Sequence, residues 1–276
     1  MEHLILTVFT VCIQIAIGIM VFAAIGRWLN KDGVFRNAIF TAAIFGIVGM
    51  MASLLHLGQP LRALYSLSQF GSSWLSREIW FTGIFIGLTV ISAAIIYFKP
   101  EARNASNVIV SVAALVGLVD VFVMASIYSN TSVPVWQNVA TFVEFYGTAI
   151  SVGAMVFLIL SMKEAMQMRR IAAAIVAIAV AVQVLAVIPF LVAMGTSSSA
   201  AVQSSLEVLN SMSLASLIKW AMILSGSGVI LWINKNELSQ PIMRGVLGST
   251  ILLLAGQFIG RYIFYAMMVL PRVGLS

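Results

Sequence analysis

Charge is scarce in this chain. Only 9% of its 276 residues are Asp, Glu, Lys or Arg, against about a quarter in an ordinary soluble domain. A soluble fold would have little with which to cover its surface. Cysteine is almost absent too. The single one, Cys12, lies inside the first apolar run. It forms no intrachain disulfide and cannot supply the four thiolates of an iron–sulfur cluster. Histidine occurs twice, as His3 and His56. These shortages exclude a soluble globular enzyme and a secreted disulfide scaffold, and the apolar excess excludes a disordered chain. The net charge of +6 does not point to nucleic acid, because the basic residues lie in short segments between apolar runs.

Apolar side chains are what the chain has in abundance. They make up 61% of it, and the mean hydropathy is +1.07. A membrane-crossing helix needs about 20 apolar residues. Eight runs of that length are visible, covering roughly 4–27, 38–57, 78–98, 107–129, 139–161, 171–194, 213–233 and 243–269. Polar breaks separate them, such as Asn30-Lys31-Asp32-Gly33, Lys99-Pro100-Glu101, Met168-Arg169-Arg170 and Asn234-Lys235-Asn236-Glu237. No long polar segment could fold as a soluble unit. Residues 1–276 therefore read as a single integral membrane domain, an all-α bundle of eight transmembrane helices. Runs such as Ile171 to Ala181 are apolar on every face, unlike the in–out alternation of barrel strands. The first run begins with Glu2 and His3 and lacks a basic leader. It reads as an uncleaved span rather than a signal peptide.

Loop charge suggests an orientation. The loops after spans 1, 3, 5 and 7 carry Arg27, Lys31, Arg36, Lys99, Arg103, Lys163, Arg169, Arg170, Lys235 and Arg244, ten of the fifteen basic residues. The positive-inside rule places those loops in the cytoplasm, and both termini on the outer, periplasmic side.

Ionisable residues inside a membrane cost about 2.5 kcal/mol or more and are paired, wet or functional. Here they gather at the outer ends of the spans: His56, Glu78, Asp120, Glu144 and Arg261, with Tyr128 and Tyr265 beside them. A cavity opening from the outer leaflet would explain that one-sidedness. Asp120 and Tyr128 share a helical face, and Gln257, Arg261 and Tyr265 form an i, i+4, i+8 stripe. Asp120 and Arg261 have opposite sign and similar depth. They suit either a buried structural pair or a ligand or proton site.

His56 closes span 2 at the segment Ser53-Leu54-Leu55-His56-Leu57-Gly58-Gln59-Pro60-Leu61-Arg62-Ala63. Gly58 and Pro60 suit helix termination there. The chain then returns through Ser76-Arg77-Glu78. A histidine, Arg62, Arg77 and a glutamate thus meet at one membrane face, a credible proton-accepting group. A bis-histidine haem would need His3 and His56 together, and methionines in apolar helices are usually packing material, so no haem and no metal site is expected. The six tryptophans fall near span ends and read mainly as interfacial anchors. The serine-rich loop after span 6 shows no chemistry.

Several of these stretches resemble a known family, the membrane-anchor subunits of dimethyl sulfoxide reductases. They are His56-Leu57-Gly58-Gln59-Pro60-Leu61-Arg62-Ala63, Leu75-Ser76-Arg77-Glu78-Ile79, Tyr128 through Val133-Pro134-Val135-Trp136, and Ile259-Gly260-Arg261-Tyr262-Ile263-Phe264-Tyr265. They run from span 2 to span 8 in the family's order. The resemblance implies a quinol-oxidising anchor in the bacterial inner membrane, serving anaerobic respiration. It implies a molybdenum-cofactor catalytic subunit and a four-cluster iron–sulfur subunit as partners. It implies menaquinol as bound substrate, and neither haem nor iron–sulfur cluster in this chain. The family's functional histidine corresponds to His56, and its acidic residue at the start of span 3 to Glu78. Gln257 stands where the family carries an acidic residue.

On chemical grounds His56, with an ordinary pKa of about 6.5, and Glu78 suit the acceptance of protons from a quinol. Two other readings compete. A secondary transporter would use Asp120 and Arg261 as coupling charges, but such sites lie near the midplane on broken helices of related halves. No internal repeat is visible, and Pro189 in span 6 has no counterpart in the first half. A purely structural anchor would need no polar cluster.

Overall fold

The fold was analysed in a computed structural model that describes residues 2–30, 33–56, 67–162, 164–165, 168–233 and 240–270, without the side chains of residues 2, 56, 233 and 240–242. Within the described residues the architecture is all-helical. The helices are α1 (Glu2–Leu29), α2 (Arg36–His56), α3 (Trp74–Phe98), α4 (Arg103–Ser129), α5 (Val139–Leu160), α6 (Arg169–Thr196), α7 (Ala200–Ser211), α8 (Ser213–Ile233) and α9 (Gln240–Ala266). Eight of them, all except α7, are long and apolar enough to cross a membrane. In hydrocarbon every backbone polar group must be satisfied internally, which selects helices for these runs. Polar caps mark two starts. Ser73 accepts from the Ser76 N–H at 3.4 Å ahead of α3, and Asn138 from the Ala140 N–H at 2.9 Å ahead of α5.

The spanning helices alternate in direction, so the bundle has two ends. α1 begins at what we term the near end and finishes at the far end. α1 is also the axis. It packs against α2, α4, α5 and α9. Its apolar window is 67% buried, against 28% for α6 and α8, which are therefore peripheral. The approach of α1 to α5 is very close. A Cβ on Gly18 would meet the carbonyl oxygen of Ala149 and, at 2.7 Å, the Cα of Gly153. Two glycines face each other there, as small residues do where membrane helices touch.

At the far end, residues 33–35 lead into α2. Phe35 adopts a left-handed backbone (φ 51°) and is fully buried. Bulky residues seldom adopt that conformation. Here the N–H groups of Val34 and Phe35 donate to Glu164 Oε2 at 2.9 and 2.8 Å, which holds the turn. Arg27 Nη1 donates to Ser106 Oγ at 2.6 Å beside it.

Two features depart from the sequence reading. The segment after span 6, read from the sequence as a serine-rich loop, forms the helix α7. It turns Ala201, Val202 and Ser205 inward, and Ser205 Oγ donates to the Met267 carbonyl at 3.0 Å. Its apolar residues recur at helical spacing over a stretch too short to span. Trp136 is also not an interfacial anchor. It lies in a short 3-10 turn (Pro134–Trp136), is 4% exposed, and donates from Nε1 to the Phe264 carbonyl at 2.9 Å. Trp28 and Trp232 are well exposed, as anchors should be.

Candidate functional site

The buried polar residues of the near half fall into two groups. The first lies where α1, α5, α6, α8 and α9 meet. The stripe Gln257, Arg261, Tyr265 on α9 supplies its spine. Gln257 Nε2 donates to Gln183 Oε1 at 2.8 Å and to Ser151 Oγ at 3.3 Å. Its Oε1 accepts from Thr148 Oγ1 at 3.0 Å. One turn on, Arg261 Nη2 donates to Gln14 Oε1 at 3.0 Å and, at 3.4 Å each, to the Glu144 carbonyl and Thr148 Oγ1. The guanidinium lies 3.6 Å over the Phe145 ring centroid, a cation–π contact. Arg261 is 3% exposed, and its Nε and Nη1 find no hydrogen-bond partner among the described residues. A further turn on, Tyr265 Oη sits 3.0 Å from Tyr128 Oη and 3.2 Å from Thr10 Oγ1.

An ion pair closes this group. Lys219 Nζ on α8 donates to Glu144 Oε1 on α5 at 2.9 Å. Gln183 Nε2 lies 3.4 Å from Glu144 Oε2. Gly260 makes room for the lysine, since a Cβ there would meet Lys219 Cε at 2.7 Å. Beside the pair is a cavity of about 390 Å³, lined by Glu144, Gln183, Lys219, Trp220, Arg261 and Phe264 among mostly apolar neighbours. Leu209 and Asn210 of α7 also line it.

The second group sits between α3 and α4. Thr82 Oγ1 lies 2.9 and 3.1 Å from the two carboxylate oxygens of Asp120, which is fully buried. One turn nearer the end, Glu78 is 6% exposed, and its Oε1 has no hydrogen-bond partner among the described residues. Glu78 is close enough to interact electrostatically with Asp120, Tyr128 and Tyr265.

The sequence-predicted residues divide as follows. Glu78, Tyr128, Arg261 and Tyr265 converge at the near half of the bundle. Arg77 does not join them. It donates to the carbonyls of Phe70 at 3.0 Å and Gly71 at 2.8 Å, and stacks 4.3 Å from the Trp74 centroid, fastening the turn before α3. The backbone of His56 ends α2 at the near end, while its side chain and the whole of Arg62 lie outside the described residues. Asp120 and Arg261 are not an ion pair. α4 turns Asp120 toward Thr82, while α9 turns Arg261 toward α1 and α5, so equal depth does not bring them together. The residues that sequence reasoning passed over are Lys219, Gln183 and Gln14. Lys219 is one of the five basic residues outside the loops after spans 1, 3, 5 and 7. The signal for it is an opposite charge at matching depth, because Glu144 and Lys219 both lie between one and two turns inside the near ends of α5 and α8.

Among the described residues no group of three or more His, Cys, Asp and Glu could hold a metal ion. The polar side chains instead offer donors and acceptors at the edge of an apolar space. Such an arrangement suits a lipid-soluble molecule with a polar ring or head.

Comparison with known proteins agrees with this membrane architecture. The pattern of the DMSO reductase anchor subunit (DmsC) family matches residues 1–267. The protein is 30% identical to YnfH, an anaerobic dimethyl sulfoxide reductase polypeptide of Escherichia coli K12, over 95% of its own length and 93% of that protein. A second anaerobic dimethyl sulfoxide reductase polypeptide of the same organism is 29% identical, over 96% of the present sequence and 93% of its own. Its namesake from Haemophilus influenzae shares 34% identity over about half of each protein. With eight span-forming helices and a family match that covers almost its full length, this multi-pass membrane protein belongs to the DMSO reductase anchor subunit family.

Proposed function

We propose that this protein anchors a molybdenum and iron–sulfur reductase to the bacterial inner membrane and oxidises menaquinol there for anaerobic respiration. The observation that carries the reading is Glu78, a buried carboxylate at the near end with one oxygen unpartnered among the described residues. A quinol hydroxyl supplies the donor that this oxygen lacks, and burying a carboxylate without one is costly. His56, at the neighbouring end of α2, is the second proton acceptor.

Oxidation of one quinol releases two electrons and two protons. Glu78 and His56 receive the protons and release them at the near end. The electrons pass to an iron–sulfur subunit docked on that end, since a polypeptide with one cysteine cannot hold a cluster of its own. The catalytic subunit beyond it reduces the terminal acceptor. Arg27, Arg36, Lys99, Arg103, Arg169 and Arg170 all mark the far end, which supports a cytoplasmic far end and a periplasmic near end. Arg261 and the tyrosines hold the inner wall of the site.

The test separates quinol chemistry from assembly. Glu78→Gln keeps the shape and removes the base. The assembled variant complex is expected to lose at least 90% of menaquinol-driven reduction, while keeping turnover with an artificial donor that feeds the catalytic subunit directly. Undiminished menaquinol-driven turnover would overturn the assignment.

A further inference from the structure

The cavity of about 390 Å³ between α5, α6, α8 and α9 shares Arg261 with the site around Glu78, but Glu78, Tyr128 and Tyr265 do not line it. Its size falls within the range of small-molecule sites, about 300–1,000 Å³. Its walls are mainly apolar, with Phe190 and Trp220 supplying flat faces, and one wall carries Glu144, Lys219, Gln183 and Arg261. Arg261 is 97% buried, by its 3% exposure, with two N–H groups unpartnered among the described residues. Glu144 and Lys219 keep 21% and 11% of their side chains accessible, so the ion pair is not sealed off. Leu191 of α6 and Leu217 of α8 line it and are 43% and 68% exposed, so the space reaches the outer surface of the bundle at these helices.

We infer that this cavity holds the ring of an isoprenoid quinone or quinol as a second site, separate from the one around Glu78. The inference rests on the reading of the protein as a quinol-oxidising anchor. The ion pair recognises both states of such a ring. The Lys219 ammonium donates to a ring oxygen, and the Glu144 carboxylate accepts from a quinol hydroxyl. Gln183 offers one group of each kind. The aromatic faces stack on the ring, and the isoprenoid tail leaves between α6 and α8 into the bilayer. A phospholipid headgroup fits less well, because the Glu144 carboxylate in the wall repels a phosphate and offsets the positive charge of the lysine, which still has N–H groups to donate to a neutral ring.

The test uses the whole complex in native membranes and a photoreactive isoprenoid naphthoquinone analogue, followed by peptide mapping. Label is expected on peptides of α6 and α8 as well as around Glu78. Ala186→Trp fills the cavity without touching its charged groups, and should reduce the α6 and α8 label at least tenfold while the α3 label persists. Leu217→Trp, at the lipid-facing rim, serves if the first variant does not assemble, and should also cut the α6 and α8 label. Label confined to α3 overturns the second site and leaves the proposed function standing. Labelling of α6 and α8 by a photoreactive phosphatidylglycerol in place of the quinone overturns it likewise. Absence of both labelling and menaquinol-driven turnover in the unaltered complex overturns it together with the reading beneath it.

Discussion

Replacing Lys219 by Met removes the partner of a carboxylate that the bundle has largely withdrawn from water. The pair is short, 2.9 Å, and its side chains are 11% and 21% exposed. Breaking a fully buried pair from one side costs about 3–5 kcal/mol, because the remaining charge is stranded. Residual exposure lowers the expectation for Lys219→Met to about 2 kcal/mol. Among the described residues the Glu144 carboxylate would keep Gln183 Nε2, at 3.4 Å, as its hydrogen-bond partner. Glu144→Gln should cost less, about 1 kcal/mol, since an amide oxygen still accepts from the ammonium. Lys219 would also keep its place 4.6 Å from the Trp220 ring centroid. The double variant strands no charge, so it should be less damaged than the two single losses added together. The expected coupling is about 1–2 kcal/mol. Reversible unfolding in mixed detergent and dodecyl sulfate micelles measures it, and Trp220 beside the pair provides a fluorescence signal. Additivity within about 0.5 kcal/mol would refute the coupling and with it the interhelical role of the pair.

Three further outcomes follow from the same geometry. Asp120→Asn and Arg261→Gln should show additive losses of stability, because each group bonds to different neighbours; mutual rescue above about 0.5 kcal/mol would restore the direct pair. Gly18→Leu should cost at least about 3 kcal/mol and prevent assembly, since its side chain would enter the backbone of α5; wild-type yield of the variant complex would show that α1 and α5 do not touch there. In sealed vesicles carrying the whole complex, menaquinol oxidation should build no sustained membrane potential, because the proposed function releases protons and electrons at the same end; an uncoupler-sensitive potential tied to turnover would contradict that.

The spans were legible because about 20 consecutive apolar residues have few other structural solutions. Their ends were less so. α3 begins at Trp74, four residues before the expected start, because Ser73 caps a polar first turn containing Ser76, Arg77 and Glu78. α7 escaped because a hydropathy scan tuned to spans discounts a 12-residue amphipathic helix. The site shows the same division. The stripe Gln257, Arg261, Tyr265 follows from helical periodicity alone, and all three are buried. Its partners do not, since periodicity says which residues share a face but not which helix that face meets. Hence Asp120 and Arg261 looked like a match by depth and sign, while Arg261 in fact bonds to Gln14 of α1. That the glycines at 18 and 153 face each other is visible only in the fold.

The central position of α1 sets the order in which the protein can be made. Gln14 bonds to Arg261, 247 residues later in the sequence. Thr10 waits in the same way for Tyr265, 255 residues on. At about 5–20 residues per second, α1 spends roughly 12–50 s in the bilayer before that partner is synthesised. During biogenesis its polar groups must be sheltered by the insertion machinery, by interfacial water or by temporary bonds to their own helix. Thr10 Oγ1 already makes the last kind, to the Leu6 carbonyl at 2.9 Å. Gln14 is the exposed point of the nascent polypeptide. α1 is completed only when α9 reaches it.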